Sequence, residues 1–341
     1  MRDAKAEPSV SAAMLSLATG AWVSQAIYVA AKLGIADLLQ EGNKACGAIA
    51  EATNTHPGAL YRLLRALASL DVFAEDAEGR FGLTPLADSL RTTAPGSLRA
   101  FAIMVGEPES WAPWGEFLYS VRTGRCAFEN VFGAPFFRYM AEHRDATRIY
   151  DESMTSRSAA ENQAILAAYD FSNASLVIDL GGGQGALLAS ILKDYSRTKG
   201  LLFELPHVIE TARNALRTLA DSGRSRFVAG DFFEDALPGG GDVYLLKKVI
   251  HDWDDEKART ILGACRRAMP RTARLLLIEP MILPGNDPSF AKWLDLFMLV
   301  WTSGRERMEE EHTALLASAG FEVRRIVPTN SPVSIIEASP L

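Results

Sequence analysis

Cysteine is scarce in this chain. Its three residues, Cys46, Cys126 and Cys265, stand far apart. They form no CxxC pair and match no zinc spacing, which excludes a disulfide framework and a zinc finger. A reducing cytoplasm is the expected location. Histidines and acids show no ligand spacing either, so no metal site is expected. Basic charge is not in excess: 35 Lys and Arg against 42 Asp and Glu leave a net charge of -7. That balance favours neither a nucleic-acid partner nor an acidic membrane surface. A long apolar run is also missing. The uncharged stretch from Ser9 to Ala31 has the length to span a bilayer. However, Ser9, Ser11, Ser16, Thr19, Gly20, Ser24 and Gln25 dilute it, and an amphipathic helix buried against a partner is expected instead. The opening residues, MRDAKAEP, carry mixed charge with no apolar run directly after them, so no secretory signal is expected. Internal repeats and low-complexity tracts are absent.

What is present is a chain of 341 residues, 48% of them hydrophobic. That exceeds one ordinary domain, so two are expected, divided as 1–165 and 166–341. The first half reads mainly helical. A loose helical period through Leu15, Ala18, Val23, Ala26 and Ile27 continues to Leu39. ACGAIAEATN reads as a short helix. THPGALYRLLRALASL reads as another, with Thr55 as N-cap and Pro57 just inside. DVFAEDAEGRFGLT alternates like two short strands about a turn at Glu78 and Gly79. Helix, turn, helix and hairpin make a winged-helix arrangement. A DNA reader needs a basic face, yet Lys44, Arg62, Arg65, Arg80 and Arg91 are balanced by Glu51, Asp71, Glu75, Asp76, Glu78 and Asp88. The module is therefore read as a dimerisation and substrate-lid domain. An aromatic-rich region runs from Trp111 to Tyr139, and a connecting helix is expected from Asp145 to Tyr169.

The second half changes rhythm. SLVIDL, GLLFEL, RFVAGD, DVYLLKKV and ARLLLIEP are apolar strand candidates. The helical stretches ALLASILKDY, VIETARNALRTLA and EKARTILGACRRAM separate them, which implies a parallel sheet covered on both faces. FEVRRIVPTNSPVSIIEASP reads as two more strands, an antiparallel pair at one edge.

In such a sheet, ligands sit beyond the carboxyl ends of the strands. VIDLGGGQG places Asp179 before Gly181, Gly183 and Gly185. The dinucleotide fingerprint is G-x-G-x-x-G; here the spacing is G-x-G-x-G. Asp179 stands where a phosphate would be repelled. A cofactor with no phosphate and a positive charge removes the conflict, and S-adenosylmethionine is such a molecule. Glu204, ending the second strand in FELPHV, suits ribose hydroxyls. Asp231 and Phe232, ending the third in AGDFF, suit an adenine amino group and ring.

The fourth strand leads into LLKKVIHDWDDEKA. Lys247 and Lys248 end it, and His251 follows at the cofactor edge among polar neighbours. An imidazole there suits a general base near neutral pH. Asp252 and Trp253 adjoin it, while Asp254 and Asp255 read as the N-cap and first turn of the next helix. Two acids are candidates to orient the base: Glu279, ending LLLIEP, and Glu306 in SGRERM. Glu306 precedes Glu309, Glu310 and Glu311, which suggests a solvated helix start. His56, His143, His207 and His312 are expected in surface or structural roles.

These segments resemble the S-adenosylmethionine-dependent small-molecule O-methyltransferases, a family that includes plant caffeate and flavonoid enzymes and bacterial antibiotic-tailoring enzymes. DLGGGQG, FELPHV, GDFF, LLKKVIHDWDDE, LIEPMILP and GRERM come in family order. The resemblance implies an α/β fold, with a Rossmann-like class I methyltransferase domain after a mostly helical winged-helix dimerisation domain, and hence a homodimer. It implies that Gly181 and Gly183 approach the cofactor's amino-acid part, Glu204 its ribose, and Asp231 with Phe232 its adenine. Lys247 stands at a cofactor-contacting lysine, and Met154 with Ser158 resembles an M-x-x-x-S pair near the cofactor. His251 is implied as the base, flanked by Glu279 and Glu306, with Asp252 lining the acceptor site. Plant members carry Asp where Glu204 stands, and the loop LVWTSG differs from theirs, so the acceptor pocket does not transfer. Trp111, Trp114, Phe137, Met140, Met298 and Trp301 suggest a flat apolar pocket for a phenol or polycyclic metabolite, though the same residues suit a core. Three other readings compete: an N-methyltransferase such as the phenazine-modifying relatives, a relative turned to decarboxylation or hydroxylation, and a winged-helix DNA-binding regulator.

Overall fold

The computed structural model describes residues 9–217, 221 and 223–341. MRDAKAEP and the last residues of VIETARNALRTLA lie outside the described residues. By packing, the chain forms two compact units. The first takes Met1–Trp111 with Glu152–Arg157, and the second takes Ala112–Asp151 with Ser158–Leu341. The division thus differs from the boundary expected at residue 165. The physical reason is the aromatic segment: Phe136 packs on Trp301 and Phe137 on Trp253, with ring centroids 4.9 and 5.7 Å apart.

The first unit opens with α1 (Val10–Ala18) and α2 (Gly20–Lys32), bent by 45° at Thr19. No single described helix is long and apolar enough to cross a membrane, although this bent pair passes by length and composition. Helix α3 (Cys46–Thr53) ends on Asn54, which takes the left-handed conformation at φ 50°. Helix α4 (Pro57–Ala68) buries Leu60, Leu64 and Leu67, the one-faced stripe expected of an amphipathic helix. Its N-cap is His56 rather than Thr55: the imidazole accepts from the Ala59 N–H, while the Thr55 hydroxyl pairs with Thr53. Strands β1 (Lys44–Ala45), β2 (Phe73–Glu75) and β3 (Arg80–Leu83) form an antiparallel sheet in the order β1-β3-β2. The β2–β3 turn is held by Asp76, whose Oδ1 accepts from the N–H groups of Glu78 and Arg80.

The second unit is built on a seven-stranded sheet. Its strands are β4 (Leu176–Leu180), β5 (Lys199–Glu204), β6 (Ser225–Ala229), β7 (Val243–Lys247), β8 (Arg274–Pro280), β9 (Phe321–Pro328) and β10 (Val333–Pro340). The order is β6-β5-β4-β7-β8-β10-β9. The first five are parallel, and β10 runs antiparallel to both β8 and β9, as the sequence predicts. Alternate residues feed two cores. Leu180, Phe203 and Leu246 face one, while Val177, Leu202 and Leu245 face the other. This is why the strands read as continuous apolar runs. The chain leaves β4 towards β5 and β6, then returns to place β7 on the other side. That reversal opens a crevice at the carboxyl ends of β4 and β7.

Candidate active site

The crevice holds the acids expected there. Asp179, one residue before the end of β4, is fully buried, and neither carboxylate oxygen has a hydrogen-bond partner among the described residues. Burial pushes its carboxyl up to about 7, against the pull of the Lys247 ammonium. The backbone explains the glycines. A Cβ at Gly182 would lie 2.3 Å from Asp179 Oδ2, so this position must be bare for the carboxylate to fit beneath it. Gly181 and Gly183 take φ of 69° and 57°, and a Cβ on Gly183 would meet nothing within 4 Å. Glu204, ending β5, accepts from the N–H of Gly183 at 3.3 Å and of Leu205 at 2.5 Å. Burial raises it to about 7 as well. Phe232 packs 5.7 Å from Phe203 and borders Gly181. Asp231 is half-buried, and its Oδ1 accepts from the Phe233 N–H, so one oxygen is spent on its own turn.

Lys247, at the end of β7, donates to Asn162 Oδ1 at 2.7 Å and lies 3.3 Å from Glu161 Oε2. Burial lowers its ammonium to about 8, although Glu161 opposes this. Lys248 pairs with the same glutamate from a left-handed backbone at φ 54°. Glu161 and Asn162 belong to the helix Arg144–Ala168. Sequence reasoning missed both, because adjacent polar residues on a helix look like a solvated face. Met154 and Ser158 stand four residues apart on that helix, both half-buried.

His251 sits in a short 3-10 turn, Ile250–Asp252, directly after β7. Its Nδ1 is 2.7 Å from Glu306 Oε1 and 3.8 Å from Glu279 Oε2, and Nε2 is 3.8 Å from Asp252 Oδ1. Of the two acids expected to orient the base, Glu306 therefore makes the hydrogen bond. It is buried rather than solvated, contrary to the expectation its neighbours suggest. Glu279 spends Oε1 on the backbone N–H groups of Val249 and Ile250, at 3.2 and 2.9 Å. Burial by itself lowers the imidazole pKa, but Glu306, Glu279 and Asp252 together outweigh it and bring it up to about 10. Burial likewise raises Glu279 to about 7 and Asp252 to about 6. The fold also makes a cluster that the sequence spacing did not predict: ligating atoms of His251, Glu279 and Glu306 lie within 4.8 Å of one another.

The aromatic candidates separate. Met140, Met298 and Trp301 are buried in the second unit, and Phe137 is half-buried there. Trp301 is enclosed by Phe128, Phe136, Tyr150 and Phe297, yet its indole Nε1 has no hydrogen-bond partner among the described residues. Trp111 belongs to the first unit and is more than a third exposed. Of the histidines expected in structural roles, His143 bonds and stacks on Tyr139. His312 is buried with neither ring nitrogen partnered among the described residues, and burial lowers it to about 4.

Comparison with known proteins agrees with this geometry. The model of the O-methyltransferase domain matches residues 114–322, and that of the O-methyltransferase dimerisation domain matches residues 15–93. The chain is 43% identical over 332 residues, 97% of each chain, to the phenazine O-methyltransferase PhzM of Lysobacter antibioticus. It is 31% identical over 326 residues, 96% of each chain, to the phenazine-1-carboxylate N-methyltransferase of Pseudomonas aeruginosa. Among solved structures, it resembles an O-methyltransferase from neocarzinostatin biosynthesis in complex with S-adenosylmethionine and 2-hydroxy-5-methyl naphthoic acid. There the TM-score is 0.84 at 32% identity, covering 98% of this chain and 100% of that one. With the catalytic-domain model spanning most of the chain and the sheet, glycine turn and histidine–carboxylate cluster in place, this protein belongs to the O-methyltransferase family.

Proposed function

We propose that this protein transfers a methyl group from S-adenosylmethionine to a hydroxyl of a small aromatic secondary metabolite, with His251 as the general base. The observation that carries the reading is the His251 imidazole. Its Nδ1 is held by Glu306, and its Nε2 makes no hydrogen bond among the described residues. A neutral imidazole fixed in this way presents a lone pair on Nε2.

The crevice residues fit the cofactor. Asp179 is a buried carboxylate with both oxygens unsatisfied among the described residues, a costly state that a cationic ligand relieves. We assign Gly181 and Gly183 to the amino-acid part, Glu204 to the ribose, Asp231 and Phe232 to the adenine, and Lys247 and Ser158 to the surrounding wall. When bound, S-adenosylmethionine supplies an electrophilic methyl on a positively charged sulfur. His251 Nε2 takes the hydroxyl proton as the oxygen attacks, and Glu306 and Glu279 stabilise the imidazolium that forms. A positive charge beside the cluster counteracts its three carboxylates and eases His251 towards its neutral form. Asp252, Phe137, Met140, Met298 and Trp301 are assigned to the acceptor side. A metal reading is less favoured, because His251 Nδ1 and Glu306 Oε1 are engaged with each other and Glu279 Oε1 with two backbone N–H groups. The built base favours a hydroxyl over an aromatic nitrogen, since a phenol has a proton to lose. The first unit is proposed as a winged-helix homodimerisation module, and the cytoplasm as the location.

Calorimetric titration with S-adenosylmethionine and S-adenosylhomocysteine, with NAD as control, tests the cofactor. Both adenosyl compounds bind and NAD does not; the reverse pattern overturns the reading. Once an acceptor phenol is found, His251→Ala lowers turnover by about a hundredfold or more while leaving S-adenosylhomocysteine affinity unchanged. Undiminished turnover removes His251 from the mechanism.

A further inference from the structure

The turn that carries His251 has few local means of holding its shape. It is a single 3-10 turn, Ile250–Asp252, and a turn this short is not rigid alone. Its backbone groups are instead taken up from outside. Glu279 Oε1 accepts the N–H groups of Val249 and Ile250. The N–H of Arg305 donates to His251 O at 2.8 Å. Arg307 does the most. Its guanidinium Nη1 donates to Ile250 O at 3.1 Å and its Nη2 to Trp253 O at 2.9 Å, so one planar fork spans the residue before His251 and the second residue after it. Nε and Nη2 also reach Asp255 Oδ1, at 3.0 and 2.7 Å. The side chain is 1% exposed. Its backbone is fixed in turn, because Ile282 N donates to Arg307 O just beyond Glu279 at the end of β8.

We infer that Arg307 is a positioning residue for the base: its fork sets the backbone of the His251 turn so that the imidazole meets Glu306. This rests on the reading of His251 as the base. A buried guanidinium is expensive unless its donors are paired, and here they pair with the two carbonyls that bracket the imidazole. Lysine carries the same charge but no rigid fork, so it cannot hold both carbonyls in one plane.

The test observes the imidazole directly and needs no acceptor. Nitrogen-15 NMR of the histidine side chains in the full chain, with His251→Asn to assign the signal, follows the Nδ1 proton in the bond to Glu306. Arg307→Lys accelerates exchange of that proton with solvent by about tenfold or more, while S-adenosylhomocysteine affinity by calorimetry stays unchanged. Arg307→Lys with native exchange but a lower melting temperature makes Arg307 a stability clamp only and overturns the inference. If Arg307→Lys does not fold, Asp255→Ala decides, because it keeps the guanidinium and removes its anchor. Faster exchange then supports the inference and native exchange overturns it. Failure of native protein to bind S-adenosylhomocysteine counts against the proposed function, and is read separately from the exchange rates.

Discussion

At the scale of single residues, the site is a problem of buried charge. His251 is surrounded by Glu306, Glu279 and Asp252, and its proton is held up to about 10 in the ligand-free protein. The proposed base must be neutral to act, so methyl transfer is expected to rise with pH across the neutral range. Glu306→Gln removes the carboxylate that raises the imidazole most. It lowers the His251 pKa, so the rising limb of the pH–rate profile moves to lower pH by at least about one unit. The plateau falls by roughly tenfold or more, because the imidazolium loses its counter-charge. Single-turnover rates from pH 5 to 10 check both; an unmoved limb would show that Glu306 does not set the base. Asp179 gives a second case. Its carboxyl, raised to about 7, keeps a proton in the folded chain at pH values where the unfolded chain has lost it. The ligand-free fold therefore loses stability as pH rises from roughly 4 through 7. Asp179→Asn cannot ionise. Above pH 7 the ligand-free variant is more stable than the native protein by on the order of 2 kcal/mol, yet it binds S-adenosylmethionine more weakly. Thermal unfolding at pH 6 and 8 with calorimetry tests this, and equal melting temperatures at pH 8 count against it.

At the scale of elements, the parallel strands were legible because β4, β7 and β8 are buried on both faces and leave continuous apolar runs. Asp179, Glu204 and His251 were legible because they stand where such runs stop. Less legible was anything held by contacts distant in sequence. Glu306 looked solvated beside Glu309, Glu310 and Glu311, and it is buried because residues 304–307 are stitched to the His251 turn and to the end of β8. No local periodicity encodes that stitching. The same is true of Arg307, and of Glu161 and Asn162 under Lys247. Thr55 lost the cap to His56 by one residue, within the usual uncertainty of helix ends. The stitching makes a further prediction. A Cβ at Gly304 would lie 2.0 Å from His251 O and 2.5 Å from the Asp252 carbonyl carbon, both backbone atoms that no side-chain rotation can move aside. Gly304→Ala therefore forces the turn apart. It destabilises the second unit by about 2 kcal/mol or more and lowers turnover even where the protein remains folded. Denaturant unfolding and turnover at low temperature check this; a variant with native stability would show that the contact relaxes freely.

At the scale of the whole molecule, the first unit leaves an unfinished surface. Helix α1 buries none of its residues, and Val10, Met14, Leu15, Leu17 and Trp22 are each more than three-fifths exposed. A nine-residue helix is marginal alone in water, and an apolar face of this kind marks a contact surface rather than a solvated one. The dimerisation-domain match begins at residue 15, within this helix. A second copy of the chain is the proposed cover. Paired charges on that face, Leu17→Glu with Trp22→Glu, then bring like charges together across the contact and leave them desolvated. The native protein sediments at twice the chain mass of 37.1 kDa, and the double variant sediments at the chain mass. The variant keeps its affinity for S-adenosylhomocysteine, because Asp179, Glu204 and Asp231 all belong to the second unit. Native protein that sediments as a single chain at high concentration would remove the homodimer, and would leave the exposed face of α1 and α2 to some other partner.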